Sequence, residues 1–292
     1  MEVIKESMKK TVIFCLIMLL ATGCSHPDSI ENDVSASTMH IESTETELKT
    51  ALTKYTTEIE TQTTIGSKQR AFSLSNMTVT DVSEYKLIDC PYISQELYTT
   101  GCEIISLTML LNANGIEIST DELMSELEYS PLKVVDNNLY GGDPNEEFIG
   151  NPVEDTGFGC YNGAIEELTA KVFNKNKIND YYILKLNNES LDDICYKCIN
   201  KDIPVMIWAS IGMVETYEDE QYQWIIEDKN TPFQWISNEH CLLLTGYDST
   251  YYYFNDPLEG KNIAYNKEIV QQRYNELGKQ AFTIVNKEQV NY

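Results

Sequence analysis

The 292 residues carry 46 acidic and 21 basic side chains, a formal net charge of −25 at pH 7, and so acidic a surface repels nucleic acid and anionic lipid. Neither is expected as a partner; the charge favours a cationic peptide ligand, and solubility outside a cell explains it equally well. Residues 1–83 hold 11 of the acids and 7 of the bases, leaving 35 against 14 for the remainder, so the two parts are read separately.

At the amino end Lys9 and Lys10 precede an apolar run over 11–20, and Ala21, Thr22, Gly23 and Cys24 follow. A charged start, a core too short to span a bilayer and small residues before the break describe an export signal rather than an anchor. The run resembles a bacterial lipoprotein signal, which implies lipidation of Cys24 as the first mature residue and a membrane contact through that lipid alone. Ala21 stands where such signals usually carry leucine, an ordinary signal cleaved nearby is the alternative, and Met8 is a second candidate start. Residues 25–83 are rich in Ser, Thr and Glu and poor in aromatics. They bury too little apolar surface to offset the entropy of ordering them, and are expected to be a disordered tether. Within them Leu48, Leu52, Tyr55 and Ile59 share one side of a helical pattern too sparse for a domain. From residue 84 the chain becomes dense in Tyr, Ile, Leu, Val and Trp, and 84–292 fits one domain with a substantial core.

Inside that domain "QELYTTGCEIISLTMLLNANG" (95–115) comes first. Ile104, Ile105, Thr108 and Leu111 recur at helical spacing and Asn114-Gly115 supplies a stop, predicting a helix over 102–113. Cys102 then lies in the first turn, where unpaired N–H groups and the helix dipole stabilise a thiolate and lower a thiol pKa. Gly101 leaves room for a substrate carbonyl to approach the sulfur. The Gln95 amide and the Cys102 N–H form a candidate oxyanion hole, and Glu103 is read as complementing the helix N-terminus. A small buried cysteine in a helix is the competing reading.

Residues 136–163 form a long Gly-, Pro- and Asn-rich excursion. Tyr140, Gly141 and Asp143 are candidate cleft residues within it, a plain surface loop being the alternative. In "LDDICYKCIN" the CxxC of Cys195 and Cys198 sits among apolar residues at helical spacing, which predicts core packing rather than a zinc site, a redox role being the alternative. Trp208 and Trp235 are read as core or cleft-wall residues, Trp235 among the candidate cleft set. The domain's six cysteines permit disulfides in an exported protein, though a core of this size does not require them.

Of three histidines, His26 and His40 fall in the tether, leaving His240 as the candidate base of the folded part. The surrounding sequence predicts strands over 240–247 and 251–255 joined by a three-residue loop. Tyr247 then opposes Tyr251, which keeps His240 and Asp256 on one face, diagonally placed and close enough for the carboxylate to fix the imidazole tautomer. A strand-end aspartate and a half-buried histidine are the plainer readings of each alone. Cys241, alternating away from His240, is assigned to the core.

"SQELYTTGCEIISLTMLLNANG", "YGGDPNEEFIGNPVEDTGFGCY", "IPVMIWASIGM" and "NEHCLLLTGYDSTYYYFNDPLEGK" together resemble the secreted branch of papain-like cysteine peptidases related to bacteriocin leader peptidases, over residues 85–285. The resemblance implies an α+β fold in which the helix of Cys102 packs on an antiparallel sheet carrying His240 and Asp256. It also implies a nucleophile at Cys102, a base at His240, an orienting acid at Asp256 and an oxyanion donor at Gln95. Leader peptidases of transporters are fused to membrane and ATP-hydrolysing domains and cut after a double glycine. No G-x-x-x-x-G-K loop occurs here, and leader-cleaving specificity is not expected to carry over. The expectation is therefore an extracytoplasmic, lipid-anchored thiol peptidase using no cofactor or metal and acting on a peptide or protein. A transglutaminase- or amidase-type transferase on the same triad, or a non-catalytic peptide- or wall-fragment-binding module, stands as the alternative, and the oligomeric state is left open.

Overall fold

A computed structural model describes residues 84–290; the expected signal with Cys24 and the expected tether lie outside the described residues. After a short strand β1 (Lys86–Leu87) comes α1 (Cys102–Ala113), the helix expected from the sequence. It ends as Asn114-Gly115 dictates. Gly115 adopts φ +76°, its N–H bonds to Asn112 O, and the Ile116 N–H reaches back to Leu111 O, the paired closure that a left-handed glycine permits. Residues 102–111 of α1 are all buried, as befits a helix apolar on every side. A second helix, α2 (Thr120–Glu126), starts from a reciprocal capping box between Ser119 and Glu122.

The excursion over 136–163 is not an irregular loop. β2 (Tyr129–Ser130), β3 (Lys133–Val135), β4 (Asn138–Gly141) and β5 (Phe148–Ile149) lie in or beside it. Asp136 and Asn137, both at positive φ, make the two-residue turn between β3 and β4, the geometry a right-twisted hairpin favours. Then follow α3 (Asn162–Asn176), β6 (Tyr181–Asn187), α4 (Leu191–Lys197), β7 (Val205–Ser210), β8 (Tyr217–Ile226) and β9 (Thr231–Ser237). The domain closes with β10 (Glu239–Tyr247), β11 (Tyr251–Asp256), β12 (Gly260–Asn266), α5 (Lys267–Glu276) and β13 (Gln280–Asn286).

The main sheet runs β12-β11-β10-β7-β13-β6 with every neighbouring pair antiparallel, and β1 adds to the end of β10. A smaller sheet, β3-β4-β8-β9, stands apart from it. Side chains alternate across the main sheet. Met206, Trp208, Cys241, Leu243, Phe282 and Ile284 pack with α1 and α3 in one core. Val205, Ile207, Leu242, Leu244, Ala281 and Val285 pack with α4 and α5 in the other. Cys195 and Cys198 are fully buried in this second core, as their helical spacing predicts. The fold is thus α+β, with the helix of Cys102 laid against an antiparallel sheet. Among the described residues no helix is long and apolar enough to cross a membrane.

Candidate active site

The β10–β11 hairpin sets the site's register, by a route the sequence did not reveal. Tyr247 opposes Tyr252, not Tyr251, so the turn is one residue longer than expected. An irregularity between Leu244 and Gly246 then absorbs one residue, and Leu244 opposes Phe254 while Leu243 opposes Asn255. The bulge restores the expected pairing in the half of the hairpin that carries His240 and Asp256. There Nε2 of His240 meets Oδ1 of Asp256 at 2.8 Å, with both side chains buried. Asp256 also accepts the Leu258 N–H at 3.0 Å and the Tyr265 hydroxyl at 3.0 Å. Burial works against its charge, but the hydrogen bond and charge of His240, with these further donors, outweigh it and hold the carboxyl below its ordinary range. Among the described residues Nε2 is the only His240 ring nitrogen with a hydrogen-bond partner.

Cys102 is the first residue of α1 and is buried. Its sulfur accepts the Cys241 N–H at 3.4 Å, so it lies against the peptide that follows His240. The thiol donates to Oε2 of Glu103 at 3.3 Å. The other Glu103 oxygen takes the Cys160 N–H at 2.6 Å, and Trp208 Nε1 holds Cys160 O at 2.9 Å. Glu239, the residue before His240, comes to the same place: one oxygen from Glu239, one from Glu103 and the Cys102 sulfur all lie within 4.8 Å of one another. Oε1 of Glu239 is buried and has no hydrogen-bond partner.

These carboxyls reverse one expectation. A helix N-terminus favours a thiolate, yet the Cys102 thiol is pushed well up by burial, then by the charges of Glu103 and Glu239, with the Cys241 N–H pulling the other way. Burial also raises Glu103 to about 7. Glu239 is raised well above the carboxylate range by burial and by Glu103. The site thus favours the thiol over the thiolate and raises the proton affinity of both carboxyls beside it. Sulfur and two oxygens form a donor set of the kind metals use, although Glu103 is already engaged on both oxygens.

Gln95 is buried beside the hairpin, its N–H on Pro257 O at 3.1 Å and its Nε2 on Thr99 O at 3.1 Å, with Oε1 buried and unpartnered. One amide hydrogen remains free. Gly101 has φ −97°, and its packing explains it: an added Cβ would lie 2.9 Å from Tyr98 Cβ and 3.3 Å from Pro152 Cβ. Trp235 joins Phe158, Tyr161, Trp224 and Phe233 in an aromatic cluster, of which Phe158 and Trp235 wall a cleft. Gly141 and Asp143 line a different, acidic depression of about 280 Å³ that shares no lining residue with this cleft. There Lys229 pairs with Asp143 at 2.5 Å. Tyr140 is half-buried in β4 opposite Lys133 and Ile225. The structure therefore sets the Cys102 sulfur against the Cys241 N–H, with no hydrogen bond between thiol and imidazole among the described residues, pairs His240 with Asp256, sets Gln95 beside the residue after Asp256, and leaves Tyr140, Gly141 and Asp143 elsewhere.

Sequence reasoning passed over the Glu103–Glu239 pair. Each stands next to a singled-out residue, Glu103 after Cys102 and Glu239 before His240, so any contact between those two segments brings the carboxyls together as well.

An α+β fold with a cysteine at a helix N-terminus and a buried His–Asp pair on an antiparallel hairpin defines a cysteine-peptidase-like architecture. Residues 87–282 match the Peptidase_C39 like family, and the chain belongs to it. It is 30% identical over 204 residues to the uncharacterized protein YvpB of Bacillus subtilis (strain 168), covering 70% of this chain and 74% of that one. A crystal structure of a putative C39-like peptidase from Bacillus anthracis is similar with a TM-score of 0.58 and 28% identity, covering 69% of this chain and 98% of that one.

Proposed function

We propose that this chain is an extracytoplasmic thiol peptidase that cleaves peptide bonds through Cys102, His240 and Asp256. The observation carrying the reading is the buried 2.8 Å His240–Asp256 pair, set on the strand whose next N–H contacts the Cys102 sulfur. For attack the thiol must turn from Glu103 to the imidazole and pass its proton there, where Asp256 supports the ring's tautomer and charge. The sulfur adds to the amide carbonyl, and the free Gln95 amide hydrogen with the Cys102 N–H receives the oxyanion. Collapse breaks the C–N bond, His240 returns the proton to the leaving amine, and an acyl thioester remains on Cys102. Water activated by His240 then releases the acid.

Cleavage of an unstructured peptide pool by the reduced protein tests this. Cys102→Ala should abolish cleavage, and His240→Ala and Asp256→Asn should each lower kcat/KM by roughly 10²- to 10⁴-fold. Cleavage surviving Cys102→Ala rejects the assignment. The burial of the Cys102 thiol against Glu103 and Glu239 favours a second reading, a binding module that holds peptides without cutting them. Peptide binding unchanged by Cys102→Ser, with no hydrolysis by the wild type, would select that reading.

The location belongs to the same proposal. Lys9 and Lys10, the apolar run and the small residues before Cys24 support a lipoprotein signal over 1–24 and a tether over 25–83, placing the peptidase on the outer face of a bacterial membrane. Labelled palmitate should enter the wild type and not Cys24→Ser, which should leave the membrane fraction; equal labelling of both rejects Cys24 as the lipid site.

A further inference from the structure

The cleft walled by the aromatic cluster has a volume of about 490 Å³ and lies between residues 155–158 and the β8–β9 hairpin. Phe158, Tyr217, Tyr222 and Trp235 line it. Phe158 stands edge-on to Tyr222 and Trp235 at 5.3 and 5.8 Å, while Tyr217 and Tyr222 remain 54% and 38% exposed. Two polar side chains matter. Asp155 is exposed and among the described residues has no ion-pair partner. Ser237 is 5% exposed, and its hydroxyl is buried without a partner in the cleft wall. No lysine, arginine or histidine lines the cleft, and β8 adds Glu218, Asp219 and Glu220 along its course.

The wall of the cleft reaches the Glu103 side chain. Gly159 follows Phe158, and a Cβ placed there would meet Glu103 Oε1 at 2.4 Å and the Trp235 ring at 3.2 Å. Ser237 lies three residues before His240. The wall is thus continuous with the carboxyl that the Cys102 thiol contacts.

We propose that this cleft is the subsite for an arginine-like basic side chain of the peptide substrate. The inference rests on the peptidase reading for its place in catalysis, and on the cleft itself for its chemistry. Aromatic faces attract a planar cation and accept its alkyl stem, and a guanidinium supplies N–H donors for Asp155. A purely apolar occupant would cover Asp155 without neutralising it. An acidic occupant would face Asp155 and the β8 carboxylates with no cation to receive it.

Two peptide pools, identical except that each arginine is replaced by citrulline, test the assignment. Citrulline keeps shape and loses charge. With the wild-type full chain the arginine pool should be cut about tenfold faster in kcat/KM, at a fixed spacing from arginine, and Asp155→Asn should shrink that ratio to threefold or less. With Cys102→Ala, binding followed by tryptophan fluorescence should show the same preference in Kd. Because each ratio compares two pools on one preparation, loss of folded protein does not mimic the effect. Equal cutting and binding of the two pools, or a ratio untouched by Asp155→Asn, overturns the inference. Arginine-selective binding without any cleavage supports the cleft and instead rejects the peptidase reading.

Discussion

A buried carboxylate beside a thiol opposes ionisation of the sulfur, because a second negative charge in a poorly solvated site is costly. Glu103 and Glu239 impose this on Cys102, and no basic side chain hydrogen-bonds or ion-pairs with either carboxyl among the described residues. Removing the Glu103 charge should therefore lower the thiol pKa. Glu103→Gln is expected to speed iodoacetamide labelling of Cys102 severalfold at pH 8 and much less at pH 6, because Glu103 ionises near 7; mass-spectrometric labelling rates at the two pH values check this. The same carboxyl affects stability. An unfolded Glu103 loses its proton near 4.5 and the folded one near 7, so the folded state binds more protons between those values and stability falls as pH rises through that window. Glu103→Gln should thus raise the urea midpoint at pH 8 and leave it almost unchanged at pH 4.5. Cys102, His240 and Asp256 could be singled out as residues because each carries a local signal: a helix start, a lone histidine in a strand, a carboxylate at matching parity. The Glu103–Glu239 pair carries none, since it exists only once α1 has docked on β10.

At the scale of elements, α1 and β10 are joined by packing and by the Ser106 hydroxyl bonding Cys241 O at 3.1 Å. The sulfur is therefore only as well placed as that contact is tight. Ile104 is fully buried in the α1 core, and Ile104→Ala should cost about 2–5 kcal/mol in urea unfolding. Leu97, 82% exposed, should tolerate alanine within about 0.5 kcal/mol. The boundaries of α1 could be read closely because helical spacing and an Asn-Gly stop coincide. The hairpin was legible in its parity alone: the longer turn and the bulge at Thr245 compensate one another, and neither has a composition signature. The β3–β4 hairpin did leave a sign, Asp136-Asn137 between Val134-Val135 and Leu139-Tyr140, which the surrounding Gly- and Pro-rich composition obscured. β4 pairs in parallel with β8, some 80 residues on, and no local pattern announces so distant a partner.

For the whole molecule, the described fold from residue 84 encloses its own two cores, so a fragment spanning 84–292 should unfold in one cooperative transition within about 2 °C of the longer chain. A midpoint much lower would mean that residues before 84 contribute to the core. The α+β class was implied by the family resemblance, whereas the small sheet beside the cleft depended on contacts between distant segments. Family membership specifies a cysteine-peptidase architecture; the chemistry rests on a covalent bond that can be observed. The most direct measurement is acid quenching of the reduced protein during peptide turnover, followed by peptide mapping. The account predicts a thioester on Cys102 carrying the amino-terminal part of the cut peptide, and none on the other five cysteines of the domain. Turnover with Cys102 unmodified at every time point, and undiminished in Cys102→Ala, would contradict it.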